Sequence, residues 1–210
     1  MKKTVLLLSI IAIAFYGNAQ DSYQNDEVQT IFSKSRSNGG YGAFSIGYTN
    51  INGKDALISG ARGMFIFDHM LGIGFGGYGF VNNFNNHYYY PNPNNELSLA
   101  GGYGGLILEP IVAGRSPVHV AFPILIGMGG ISLVDLYNWD NWPGNPWNNY
   151  NYDVFFVFEP SVELEFNFAR FFRTALFASY RVTSKIDMYQ TDDDVLNGFN
   201  FGATFKFGKF

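Results

Sequence analysis

The sequence predicts an all-β chain, an eight-stranded antiparallel up-and-down transmembrane β-barrel. Three observations carry that expectation. Aromatic residues make up 19% of the 210 positions and charged residues only 14%, against about a quarter charged in soluble domains. From Gly39 onward, apolar residues recur at every second position in segments of about ten, the period of a strand that crosses a bilayer. Past the N-terminus, no stretch approaches the roughly 18 unbroken apolar residues of a spanning helix. Lipid offers backbone groups no partner, so a membrane chain without such helices must close into a barrel.

The chain opens with a different kind of segment. Lys2 and Lys3 precede the apolar run Val5 to Phe15, and Gly17-Asn18-Ala19 puts small residues at the cleavage positions. That is the layout of a secretory signal peptide covering residues 1–19, and its apolar core is too short to span. No Cys follows it, which excludes a lipoprotein anchor and any disulfide. Without Lys2 and Lys3 the chain carries 11 basic and 17 acidic side chains, a net charge of −6, the wrong sign for a nucleic-acid partner. Residues 20–38 are polar and aperiodic and read as a flexible periplasmic lead-in; residues 39–210 read as the barrel.

The strands follow in order. The first runs near Tyr41–Thr49, with Phe44, Ile46 and Tyr48 on one face. The second, Ala56–Phe67, puts Phe65 and Phe67 opposite Arg62. The third, Leu71–Val81, alternates Leu71, Ile73 and Phe75 with Gly72, Gly74 and Gly76. The fourth is Leu97–Glu109, and the fifth, His119–Leu133, holds Val120, Phe122, Ile124, Ile126 and Met128 in phase. The sixth, Val154–Phe166, sets Phe156, Phe158, Val162, Leu164 and Phe166 against Glu159, Ser161, Glu163 and Glu165. The seventh, Phe172–Thr183, sets Leu176, Tyr180 and Val182 against Arg173, Ser179 and Arg181. The eighth is Phe199–Phe210, striped by Phe199, Phe201, Phe205 and Phe207.

The connections alternate. Residues 68–70, 111–117 and 167–171 are short, while 82–96, 134–153 and 184–197 are long and polar-aromatic; 50–55 carries an Asn-Gly turn signal. Short turns in such barrels are periplasmic and long loops extracellular.

Period two alone does not say which face meets lipid. A soluble barrel would bury the Phe stripe and present a charged one to water. The second stripe here is mostly Gly, Ala, Ser and Tyr with a few charges of both signs, which suits a narrow filled lumen. Arg62, Glu109, Glu159, Glu163, Glu165, Arg173, Arg181 and Lys206 all share the inward parity. Buried charges persist when paired, so these residues read as a lumen charge network in which Glu163 and Glu165 meet Arg173, Arg181 or Lys206. A polar pore and a catalytic carboxylate pair are the functional alternatives.

The stretches "GARGMFIFDHMLGIGFGGYGF" (60–80), "GGYGGLILEP" (101–110), "FPILIGMGG" (122–130), "FEPSVELEFN" (158–167) and "FKFGKF" (205–210) resemble the small outer-membrane barrels of the OmpA/OmpX architecture. The chain looks most like the outer-membrane barrel proteins of Bacteroidota-type bacteria. The resemblance implies a place in the cell outer membrane and assembly by the barrel-insertion machinery, which reads a terminal aromatic strand. It implies no catalytic residue and no cofactor. Phe210, the candidate assembly signal, is one residue out of phase with Phe205 and Phe207; a bulge at Gly208 would restore the phase.

Few residues offer chemistry. Of His69, His87 and His119, only His87 with Ser98 makes an outer-side pair suited to acyl chemistry. Asp192-Asp193-Asp194 is a candidate Ca²⁺ or phosphate-bridging run and more simply a solvated loop. The outer loops stand out: residues 82–96 set Tyr88, Tyr89 and Tyr90 among seven Asn, and residues 135–153 hold Trp139, Trp142 and Trp147. Aromatic faces beside amides suit an extracellular glycan or protein partner, and equally an interfacial aromatic belt. The leading expectation is a non-enzymatic barrel with structural or surface-interaction duties. A narrow, porin-like channel for small solutes comes next, and a lipid-modifying enzyme after it.

Overall fold

The computed structural model describes residues 38–82, 88–89, 96–134, 152–188 and 191–210. The expected signal peptide, most of the lead-in, and the loop residues Tyr90, Trp139, Trp142 and Trp147 lie outside the described residues, as do the side chains of Tyr88 and Tyr89. Ten strands are described: β1 (Asn38–Ile51), β2 (Lys54–Phe67), β3 (Leu71–Asn82), β4 (Tyr88–Tyr89), β5 (Glu96–Val112), β6 (Val118–Ala121), β7 (Ile124–Val134), β8 (Tyr152–Ala169), β9 (Phe172–Thr183) and β10 (Gly198–Lys209). All pairings are antiparallel, and β4 is a two-residue addition to the end of β5.

β6 and β7 are one barrel strand interrupted at Phe122-Pro123. Pro123 has no N–H to give a ladder, yet Phe122 N donates to Pro110 O at 2.8 Å and Ser161 N to Pro123 O at 2.8 Å. The pairing therefore carries across the break, and so does the parity of the side chains. Counting β6 and β7 together, the ring runs β1, β2, β3, β5, β6–β7, β8, β9, β10, so it has eight walls. It closes where β1 meets β10, from Gly40 opposite Lys209 to Thr49 opposite Asn200. Closure leaves no strand edge in the bilayer.

Alternation then sorts the side chains. Phe65 and Phe75 are each 71% exposed, and Phe44, Phe156, Leu176, Phe199, Phe201 and Phe207 also project outward. Such a belt is unfavourable in water and favourable in lipid. The buried stripe is the mixed one, with Arg62, Glu109, Glu163, Glu165, Arg181 and Lys206 among Tyr41, Ile58, Ile107 and Phe155. The apolar-out barrel is thus the observed one, and the soluble inversion is excluded.

The inner wall is thin where the lumen is crowded. A Cβ at Gly129 would lie 2.6 Å from both the Phe155 ring and Tyr103 Cβ, so only a hydrogen leaves room for those two rings. Two connections are tight turns through the left-handed region: Asn52-Gly53 (φ 56° and 69°) and Asp68-His69 (φ 50° and 56°). Left-handed pairs of this kind match the twist of the strands they join.

Candidate functional site

Eight strand walls converge their inward residues on one axis, and near the short-turn end those residues are charged. Arg62 comes from β2, Glu109 from β5, His119 from β6, Glu163 and Glu165 from β8, Arg173 from β9 and Lys206 from β10. Lys206 is the hub. Its Nζ lies 3.2 Å from Glu109 Oε1 and 2.8 Å from Glu163 Oε2, and it contacts Glu165 Oε1 as well. Arg62 Nη2 is 2.6 Å from Glu163 Oε2 and 3.4 Å from Glu109 Oε2. Tyr41 donates its hydroxyl to Glu109 at 2.6 Å. Glu165 also meets His119 Nε2 at 2.8 Å and Arg173 Nη1 at 3.4 Å. Three cations thus interleave with three carboxylates, and the Glu165 carboxylate, in contact with both, offsets the repulsion between the cross-strand neighbours Arg173 and Lys206. Shared, multiply bonded charges of this kind are what a low-dielectric lumen tolerates.

Two of the eight expected members belong elsewhere. Inward rows along a strand rise by about 3.3 Å per residue, so Glu159 lies roughly 13 Å up β8 from Glu163. There it accepts from Tyr103 (2.5 Å), Ser179 (2.5 Å) and Asn200 (2.9 Å). Arg181 is four residues along β9 from Phe177, the register partner of Glu163, and six from Ala175, the partner of Glu165, about 13 and 20 Å away, which puts the expected Glu163–Arg181 or Glu165–Arg181 pair out of reach. Instead Arg181 Nε donates to Leu196 O at 2.7 Å, and its guanidinium lies over the rings of Phe80 (5.2 Å) and Tyr103 (5.5 Å). The rings give the cation its local stabilisation.

Above that layer the described parts of the 184–197 connection, residues 184–188 and 191–197, turn some side chains inward, while Asp192, Asp193 and Asp194 stay exposed, as a solvated loop would. Ile186, Met188, Val195 and Leu196 are buried with the lumen side chains. Bonds from Thr183 N to Asn197 Oδ1 (2.7 Å) and from Asp187 N to Asp153 Oδ2 (2.7 Å) pin the segment. Asp193 pairs with Lys185 at 2.9 Å, which holds the Lys185 ammonium above its ordinary pKa, and no metal-ligating cluster occurs among the described residues.

The opposite mouth is open and basic. A cavity of about 550 Å³ is lined by His69, Arg115, Arg170, Arg173, Lys209 and Phe210, among others. Burial, then the charges of Arg115 and Arg173, lower the pKa of His69. Phe210 forms part of this mouth. Its ring lies 3.9 Å under the Arg173 guanidinium and 5.5 Å from the Tyr41 ring. No bulge occurs at Gly208, which stays in register opposite Tyr41. The expected return of Phe210 to the lipid stripe is therefore corrected: parity turns it inward, where a cation and an aromatic ring receive it.

The sequence reading missed Tyr41, Tyr103, His119, Ser179 and Asn200 as partners of the buried charges. The signal was present in their inward parity. His119 is register partner to Glu165, a pairing that a strand count alone does not give.

These features define a class: a small transmembrane β-barrel, apolar outside, with a charged and largely filled interior. Among solved structures the chain is similar to Neisserial surface protein A (NspA), with a TM-score of 0.55 and 8% identity over 84% of this chain and 100% of that one. It is also similar to Ail, the attachment invasion locus protein of Yersinia pestis, solved with the heparin analogue sucrose octasulfate (TM-score 0.46, 11% identity, 81% of this chain and 97% of that one). The fold is that of the outer-membrane barrels. No family model and no curated protein matches the sequence.

Proposed function

We propose that the protein is an integral outer-membrane barrel that works at its surfaces, as a structural or surface-interaction protein, and not through its lumen or a catalytic centre. The observation that carries this reading is the occupied interior. The Lys206-centred cluster fills one level, the Glu159 layer a second, and Arg181 with the inturned 184–197 segment a third. The cavity beside Glu159 measures about 10 Å³, room for about one water at most. Each carboxylate of the cluster is engaged by cations or hydroxyl groups, which leaves little for acid–base work. The binding surface we assign is the pair of outer loops with Tyr88, Tyr89, Tyr90, Trp139, Trp142 and Trp147, toward an extracellular glycan or protein. Export by the residue 1–19 signal peptide, recognition of Phe210 by the barrel-assembly machinery, and an origin among Bacteroidota-type bacteria belong to the same proposal.

Planar-bilayer recording tests the channel alternative: the wild-type barrel is expected to give no reproducible conductance steps, and regular steps would replace this reading with the channel. The loop assignment is tested by deleting residues 83–95 and 135–151 and comparing both proteins on an immobilised glycan panel. Binding by the wild type that is lost in a still heat-modifiable deletion supports it; equal binding by both removes it.

A further inference from the structure

The basic mouth has a neighbour on the outer wall. Phe168, Phe172 and Phe207, on three adjacent strands, form one aromatic cluster, with centroids 6.2 Å apart for Phe168–Phe172 and 4.9 Å for Phe172–Phe207. Phe168 and Phe207 are exposed, as is Phe171. Those same strand ends carry the cations: Arg170 follows Phe168 in the β8–β9 turn, and Lys209 follows Phe207 on β10. Arg170 and Lys209 are both exposed, and neither has a carboxylate partner among the described residues. Arg115, on the same cavity, reaches Asp68 only at 3.8 Å with its own side chain 77% exposed. Buried Arg173 reaches the cavity from the lumen side, steadied by Glu165. The mouth therefore holds more positive than negative charge, directly at the level where an aromatic band ends.

We infer that this mouth binds the phosphate headgroup of an anionic phospholipid of the periplasmic leaflet. The phosphate sits among Arg115, Arg170 and Lys209, and one acyl chain lies along Phe168, Phe172 and Phe207. Guanidinium forks match phosphate oxygens, and the aromatic cluster sets the lipid form apart from a free anion, which has nothing to place on that wall. Short turns put this end at the periplasmic face. The site is independent of the outer-loop reading, since it lies at the other end of the barrel.

Native mass spectrometry of the purified barrel in non-ionic detergent tests the inference, with phosphatidylglycerol and phosphatidylcholine of identical chains as probes. Phosphatidylglycerol should be retained preferentially. Each exposed cation near an anionic lipid contributes roughly fivefold, so Arg170→Gln with Lys209→Gln should weaken retention by about thirtyfold, and added salt should weaken it further. Arg115→Gln alone, a change at a side chain 77% exposed, should lose about fivefold. Equal retention of the two lipids, or unchanged retention in these variants, overturns the site. Displacement of phosphatidylglycerol by equimolar inorganic phosphate also overturns it, since the aromatic cluster would then contribute nothing.

Discussion

At the residue scale the lumen cluster is a problem in shared partners. Glu163 faces both Arg62 and Lys206, so Glu163→Leu removes the nearer carboxylate of Arg62 and one of the three around Lys206. Breaking a buried pair by removing one partner costs about 3–5 kcal/mol, and the urea midpoint of the detergent-folded barrel should fall accordingly. Lys206→Met should cost a similar amount by leaving Glu109, Glu163 and Glu165 crowded. The double variant should cost less than the sum of the two; strict additivity would show that the two side chains do not share the interaction seen here. His69 gives a second prediction, at the periplasmic turn. Its pKa in the folded barrel is lowered by burial and by Arg115 and Arg173. As pH falls through the unfolded value of about 6.5, the unfolded chain takes the proton first. The stability tied to neutral His69 is thus full above that pH and is lost as pH falls toward the folded pKa. His69→Gln should remove this part of the pH dependence, read as a smaller shift of the unfolding midpoint between neutral and mildly acidic buffer.

Elements were legible in the sequence to the extent that parity rules them. Strand β9 falls where Phe172–Thr183 was read, and the inward face of all eight charges follows from period two. Parity fixes a face but not a height, so it cannot say which cation meets which carboxylate; that depends on the stagger between neighbouring strands. Height is what separates Arg181 from the carboxylates whose face it shares and what brings His119 level with Glu165. The inturned 184–197 segment was hidden differently. Its buried residues Ile186, Met188, Val195 and Leu196 are scattered among polar ones with no strand period. Strand pairing itself makes a prediction at the seam. A Cβ on Gly47 would lie 2.5 Å from Phe201 O and 2.9 Å from the Phe177 ring, so β1 and β10 close only around a hydrogen there. Gly47→Val should cost at least about 1–3 kcal/mol by overpacking and leave part of the unheated protein migrating as unfolded chain. A fully heat-modifiable variant of unchanged midpoint would show that the seam shifts freely at this point.

At the scale of the whole molecule, the interior is obstructed at successive levels, and that order has a consequence for gating. The 184–197 segment stoppers the outer mouth with Ile186, Met188, Val195 and Leu196, and Arg181 holds it through Leu196 O. If that segment were a gate over an otherwise open pore, weakening its hold would let ions through. Below it, however, Tyr103 and Glu159 bridge β5 and β8 with Ser179 and Asn200 joining from β9 and β10, and further down the Lys206 cluster ties seven walls together. An ion passing these levels would have to separate charge-assisted bonds in a low-dielectric space. Leu196→Gly with Ile186→Gly should therefore lower the thermal midpoint by the loss of two buried aliphatic side chains, about 2–5 kcal/mol each, while planar-bilayer recordings stay silent. Adding Tyr103→Ala opens the middle level but still leaves the charge cluster, so silence should persist there too. Steady conductance from the first variant alone would mean that the lower levels open spontaneously, and the barrel would then be a gated pore and not a filled post.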